Sequence, residues 1–317
     1  MNRSITAVEG ITIGCQQDLN ALTGCTVVMA GHQGAVCGVD VRGSSPGTRE
    51  TDLLLPINLI DRVHAVVLSG GSAFGLDAAG GVMEYLEVQG IGHPVGPTVV
   101  PIVPAAVLYD LEVGDYRVRP DRAMGYQACK EAGTRVPEGN AGAGTGATVG
   151  KTRGYQFCTK SGQGTWAVSL ANGLTVGAIV AVNALGDVVD HSGRIIAGVR
   201  DPLNGSFPGT LNLWKETGAI ENSRAGQNTT IAVIACNAQL NKSQATKVAQ
   251  MAHNGLARVI SPVHTMYDGD TIFALATGQV QAETSLVGSL AAEVLAQAVV
   301  RAVQAAITVQ GCRAWRD

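Results

Sequence analysis

A layered fold that mixes helices with sheets (α/β, α+β layered) is what this sequence predicts, on three observations. Short apolar runs bounded by Gly, Asn or Asp recur through the first two-thirds of the chain. Longer stretches with helical spacing stand between and after them. No fixed-period repeat and no charged or Ser-rich linker divides the 317 residues, so residues 1–317 are expected to form one domain. Elements of both kinds stack into layers because each must bury its apolar side against another.

Taken in order, Thr26–Ala30, Ala35–Val41, Ala65–Leu68, Thr175–Val182 and Asp187–Asp190 read as strands, several of them buried on both faces. Ser72–Val88 reads as a helix, apolar at 74, 76, 78, 79, 82, 83, 85 and 86, with Ser72 or Asp77 helping to begin it. Asp121–Ala132 reads as a second, with Gly133 placed as a left-handed stop. Asn241–Ile260 opens on cap-type Asn241 and Ser243. Thr284–Ala306 is so rich in Ala, Leu and Val that its helix is buried round most of its circumference. Residues 139–154 hold six glycines, and 200–228 read as a long polar loop. That loop ends abruptly at a β-branched strand, TTIAVIAC, whose first residue is Thr229.

Composition narrows the function classes. With 46% hydrophobic and 15% charged residues the chain is not disordered, since it has ample apolar surface to offset ordering entropy. Its 41 glycines are about twice the usual share, but they show no G-X-Y period, which excludes collagen. A net charge of −3 gives no electrostatic case for a nucleic-acid partner. Mean hydropathy is positive, +0.18. Even so, the apolar stretches are interrupted by Gly, Pro or Asp before the roughly 18–20 residues a bilayer span requires. The start, MNRSITAVEGITIG, lacks the apolar centre of a signal peptide. A soluble, cytoplasmic protein without a membrane partner is expected. Seven cysteines without a C-x-x-C pair argue against a disulfide framework and a cysteine zinc site. The six histidines never stand at i, i+4, so no metal is expected, though His264 neighbours an acidic cluster.

Two motifs resemble functional loops and fail on spacing. In GTGATVGKT, five residues separate Gly144 from the Gly150-Lys151 pair and three separate Gly146 from it, where a phosphate loop needs four. Ser72 in GGSAFG lacks the second glycine of a nucleophile elbow, because Phe74 stands there. A more promising constellation begins at Asn228-Thr229. A threonine hydroxyl is a weak nucleophile unless a base takes its proton. A chain-terminal threonine carries its own base, an α-amine with a pKa of about 7.7–8.0. The same hydroxyl can make that terminus by attacking the Asn228 carbonyl, leaving chains 1–228 and 229–317. Downstream, Asp268 and Asp270 flank Gly269 ahead of the strand TIFALAT. One helix intervenes, and a strand–helix–strand excursion of that length brings the second strand beside the first. A D-G-D turn that merely caps a strand is the plainer reading of the same residues.

These blocks together resemble the L-aminopeptidase/D-esterase family, which includes β-peptidyl aminopeptidases and nylon-oligomer (6-aminohexanoate-oligomer) hydrolases. The resemblance runs from VEGITIG through VDVRGSSPGTRETDLL, LSGGSAFGLDAAGGV, AAVLYDL, NAGAGTGATVGK, AVNALGDVVD and NTTIAVIA to DGDTIFALAT, in family order. It implies an αββα sandwich of the N-terminal-nucleophile-hydrolase kind, cut by itself into α (1–228) and β (229–317) chains. It implies Thr229 as nucleophile, Asn228 as the source of the scissile carbonyl, and Lys151 as the lysine of the nylon-oligomer-hydrolase branch. Asn183 and Tyr109 match hydrogen-bond donors to the oxyanion, and Asp268 and Asp270 match that branch's carboxylates. The aminopeptidase branch carries Ser and Glu around the same glycine, and this sequence departs from it there. Asp268 is expected beside the Thr229 amine, and Asp270 is expected to hold Lys151 or a partner of Asp268.

The resemblance implies an amide hydrolase acting on small peptide or ω-amino-acid oligoamide substrates, without metal or organic cofactor, and a homo-oligomer, commonly a tetramer of αβ units. Two alternatives are an acyltransferase on the same fold and a non-catalytic nucleotide-binding protein using the 139–152 loop.

Overall fold

The computed structural model describes residues 3–220 and 227–317. Eleven strands form two large sheets. They are β1 (Thr12–Asp18), β2 (Thr23–Met29), β3 (Ala35–Val41), β4 (Thr48–Arg49), β5 (Arg62–Val63), β6 (Ala65–Ser69), β7 (Ala105–Val107), β8 (Gln163–Ser169), β9 (Thr175–Asn183), β10 (Thr229–Ala238) and β11 (Thr271–Val280). The first sheet runs β1-β2-β6-β7-β4 and the second β8-β9-β10-β11-β3-β5. The helices are α1 (Ala78–Val88), α2 (Arg122–Lys130), α3 (Thr210–Thr217), α4 (Lys242–Val259) and α5 (Thr284–Gln304).

Strand β10 shows why the apolar runs are continuous. Ile231, Val233 and Ala235 point into a core between the sheets, with Val28, Val66, Leu68, Ile179 and Phe273. Ala232, Ile234 and Cys236 point the other way, into a core with Val248, Ala252 and Leu256 of α4 and Val294, Leu295 and Val299 of α5. Each strand residue meets apolar neighbours whichever way it points, so alternation disappears from the sequence. On the far side, α1 and α2 cover the first sheet through Ala78, Val82, Leu86, Ala128 and Cys129. The layers are therefore αββα, as the resemblance implies. The two covering helices cross closely at glycines: a Cβ on Gly81 would stand 1.8 Å from Arg122 O, and one on Gly125 2.0 Å from Ala78 O.

The strand–helix–strand excursion is as expected. β10 and β11 pair in parallel with Ile231 opposite Thr271, and α4 connects them across the helical face. A capping box begins α4: Asn241 Oδ1 accepts from Gln244 N, and Gln244 Oε1 accepts from Asn241 N, both at 2.9 Å.

Four details differ from the sequence expectation. The first turns of Ser72–Val88 are 3₁₀, over Ser72–Asp77, and neither Ser72 nor Asp77 caps them with its side chain. Gly133 is no left-handed stop, because it exchanges two backbone bonds with Ile13 at 2.9 and 3.0 Å. The 200–228 region contains α3, two turns whose Leu213 is buried; residues 221–226 lie outside the described residues. Finally, α5 is by length and composition apolar enough to cross a bilayer, with mean hydropathy 1.6 over its best 18 residues, of which 67% are buried inside the protein. Its packing on the second sheet is that of a core helix.

Candidate active site

Sheet pairing fixes the head of β10. Thr229 stands opposite Asn183, the last residue of β9, while Asn228 bridges in parallel to Asp268 at the mouth of β11. Asn183, Asn228, Thr229, Lys151, Asp268 and Asp270 all come together here, each no more than 4% exposed. Such a concentration of buried polar groups carries a desolvation penalty unless each is hydrogen-bonded; here each residue has a partner, while Asn228 Oδ1 is left without one.

The Asn228–Thr229 peptide bond is at the centre. Thr229 Oγ1 donates to the Asn228 carbonyl oxygen at 2.5 Å, and Gly269 N–H donates to that oxygen at 2.8 Å. Gly269 has to be glycine, since a Cβ there would stand 2.6 Å from Ser45 O and 2.8 Å from Thr229 Oγ1. The carbonyl oxygen is thus polarised by a fixed backbone donor and by the neighbouring hydroxyl together.

Lys151 reaches the site through Asn183. Its Nζ donates to Asn183 O and to Asn183 Oδ1, both at 2.8 Å. Burial pushes the Lys151 amine down to about 7, although Cys158 and Asp268 pull the other way. A lysine in that state can accept a proton at neutral pH. Thr148 N–H completes the ring of donors on Asn183 Oδ1 at 3.1 Å, leaving Nδ2 to donate to Tyr109 O at 3.0 Å and Gln227 O at 3.4 Å.

The carboxylates sit differently from expectation. Asp268 does not lie on the Thr229 backbone nitrogen; its Oδ1 accepts from Leu185 N at 3.4 Å and its Oδ2 from Thr265 N and Oγ1 at 2.9 and 2.5 Å. Burial, then the charge of Asp270, pushes Asp268 up to about 6. Asp270 holds neither Lys151 nor Thr265. Its Oδ1 accepts from Thr230 N–H at 2.7 Å, and its Oδ2 meets His264 Nδ1 at 2.7 Å. It therefore pins the backbone immediately after the nucleophile candidate. Tyr109 enters through its main-chain oxygen, while its hydroxyl donates to Glu112 at 3.3 Å. Toward the Asn228 carbonyl oxygen the backbone donor is the Gly269 amide.

Sequence reasoning passed over two participants, Gly269 and Lys160, and placed a third, His264, only as a neighbour of the acidic cluster. His264 is a lone histidine in a turn, with φ of 56°, and the one signal for it was its place six residues before Asp270. Gly269 acts through a backbone N–H, which leaves no side-chain pattern to find. Lys160 lies wholly buried beneath the glycine-rich segment, donating to Gly144 O at 3.1 Å and Ala147 O at 2.9 Å. That segment is no phosphate cradle: residues 141–150 are all buried, and the Thr148 amide serves Asn183 instead. Among the described residues no cluster of three His, Cys, Asp or Glu could hold a metal ion.

Residues 3–315 match the profile of peptidase family S58. The chain belongs to that family. An uncharacterized aminopeptidase of Mycobacterium tuberculosis is 42% identical over 99% of this chain and 97% of its own length. The 6-aminohexanoate-oligomer endohydrolase of Paenarthrobacter ureafaciens is 31% identical over 92% of this chain and 84% of its own. Among solved structures, a Burkholderia sp. β-aminopeptidase superposes with a TM-score of 0.69 at 24% identity, covering 98% of this chain and 90% of that one. The L-aminopeptidase D-Ala-esterase/amidase of Ochrobactrum anthropi, described as a variant of the Ntn hydrolase fold, gives 0.68 at 19% identity, covering 96% and 86%. As an S58 member with this fold, the protein is an amide-bond hydrolase.

Proposed function

We propose that this S58 protein cuts its own chain between Asn228 and Thr229 and then hydrolyses peptides or ω-amino-acid oligoamides through an acyl-threonine ester. The observation that carries the reading is the Thr229 hydroxyl against the Asn228 carbonyl, whose oxygen is held by Gly269 N–H. Thr229 Oγ adds to the Asn228 carbonyl carbon, and the negative charge that develops on the oxygen falls on the Gly269 amide. The C–N bond breaks as Thr229 N takes a proton, leaving an ester that water hydrolyses. Asn228 ends as a carboxylate and Thr229 as a free amine.

In the enzyme the same hydroxyl attacks the substrate amide, with the Thr229 amine or Lys151 as proton acceptor. Asn183 Nδ2 donates to Gln227 O in the uncut chain. Once that segment departs, the donor is free for a substrate carbonyl. Asp268 and Asp270 around Gly269 favour the oligoamide branch, whose relative bears 31% identity. The fragments stay assembled after cutting, since β10 and β11 of one lie between β9 and β3 of the other. Cytoplasmic location and assembly into a tetramer of αβ units are part of the same reading.

Intact mass tests it. The wild-type protein should resolve into 1–228 and 229–317, while Thr229→Ala should remain one 32.5 kDa chain without activity on p-nitroanilides or oligoamides. A Thr229→Ala protein that is cut, or that turns substrate over, overturns the assignment.

A further inference from the structure

We propose that Cys158 and Cys312 form a redox site, oxidised by a hydroperoxide to a disulfide that joins the two processed fragments covalently. The inference rests on the self-cleavage reading for its fragment-joining consequence, because Cys158 precedes residue 228 and Cys312 follows it. The pair itself rests on geometry alone.

Cys158 Sγ and Cys312 Sγ lie 3.7 Å apart, so an approach of about 1.7 Å reaches the S–S bond length. The flanking backbones are already tied, with Lys160 N–H donating to Arg313 O at 2.8 Å. Neither cysteine sits inside a long element. Cys158 follows the 3₁₀ turn Tyr155–Phe157, and Cys312 lies beyond the end of α5. A small oxidant has a way in: a cavity of about 540 Å³, lined by Cys158, Arg200, Gly311 and Arg313, opens beside the pair. All seven cysteines are free thiols in this structure, Cys158 and Cys312 among them.

The two thiols are also differentiated. Cys312 is lowered, first by the Cys158 hydrogen bond and then by the charges of Lys160, Arg200 and Lys151 working against burial. Cys158 is raised by the same contact and by its own burial. Cys312 is accordingly the readier of the two to ionise, with Cys158 as its hydrogen-bond donor. The Cys312 thiolate attacks the peroxide O–O bond, becoming a sulfenic acid and releasing hydroxide or alkoxide. Cys158 sulfur then displaces the sulfenic hydroxyl as water, forming the S–S bond. Two thiols lose two electrons and two protons, and the peroxide is reduced to water or to water and an alcohol. A thiol reductant reverses the step.

The experiment treats processed wild-type protein with hydrogen peroxide and runs it without reductant. A single band near 32.5 kDa that reverts to two fragments with dithiothreitol is expected, and Cys158→Ser and Cys312→Ser proteins should both stay as two bands. In uncut Thr229→Ala protein the same treatment should remove two hydrogens and yield the linked 158–312 peptide pair. That arm reads the disulfide even if self-cleavage fails. Both thiols remaining alkylatable after peroxide, each being oxidised singly, or a cross-link that persists in Cys158→Ser would overturn the proposal.

Discussion

Replacing Lys151 with methionine should raise stability while abolishing function. The substitution is best read in the uncut Thr229→Ala background, where one chain unfolds. Lys151 is buried and its amine falls from 10.5 to about 7, which corresponds to ~5 kcal/mol of preference for the neutral form. Most of that penalty weighs on the folded state at neutral pH and below. Methionine fills similar volume without a charge. It forfeits the two bonds to Asn183 O and Oδ1, about 1–3 kcal/mol together, and Oδ1 keeps its Thr148 donor. A net gain of roughly 1–3 kcal/mol at pH 7 follows, read as a higher urea midpoint.

The pH dependence of that gain isolates the cause. Between pH 7 and 10.5 the unfolded chain binds the proton that folded Lys151 has released, so Lys151 makes stability rise with pH across this window. The lysine background should climb by up to about 1.4 kcal/mol per pH unit more steeply than the methionine variant, and the two curves should cross between about pH 8 and 9.5. In the otherwise wild-type protein, Lys151→Met should leave the chain uncut. If the methionine variant is weaker by several kcal/mol at pH 7 and follows the same pH curve as its parent, Lys151 is not a desolvated amine and its place in proton transfer goes with it.

Three further outcomes test the remaining groups. Gly269→Ala pushes a methyl to 2.8 Å from Thr229 Oγ1 and displaces the amide on Asn228 O, so the first-order cutting rate by mass should fall about 10²–10³-fold. Asp268, raised to about 6, should make cutting slow as pH drops through 6; Asp268→Asn should flatten that limb. Between pH 3.8 and 6 the folded protein holds the Asp268 proton more tightly than the unfolded one, so this stabilisation is lost as pH rises through 6, which acid-range urea titrations of the two proteins can compare. His264→Asn keeps a donor for Asp270 Oδ2 and tolerates the φ of 56°, so it should cut near the wild-type rate, whereas His264→Ala should be about tenfold slower; equal rates would remove His264 from the positioning of Thr230.

The sheets were legible because burial on both faces writes itself as uninterrupted apolar runs, as in residues 231–236, and the helices because caps such as Asn241 stand at their starts. Helix α3 was not, since two turns with one buried leucine leave no periodicity to find in a polar stretch. At the site, Thr229, Lys151, Asn183, Asp268 and Asp270 were all named from the chain, but their partners were not. Which carboxylate touches which donor depends on a register that the sequence does not spell out. Asp268 and Asp270 are two residues apart, yet one serves Thr265 and the other Thr230 and His264.

That division has a physical consequence for one site doing two jobs. In the uncut chain the α-nitrogen of Thr229 is an amide, which accepts no proton, so the base for the first cut has to come from elsewhere. On the proposed reading that base is Lys151, lowered to about 7 so that part of it is unprotonated at neutral pH, and held at Asn183 opposite Thr229 in the sheet. After the cut the terminal amine becomes a second base at a similar pKa, and Lys151 is no longer the sole acceptor. Lys151→Met should therefore damage self-cleavage more than turnover. Expressing 1–228 and 229–317 as separate chains bypasses the cut and separates the two. Equal losses in both steps would mean that the lysine works only by holding Asn183.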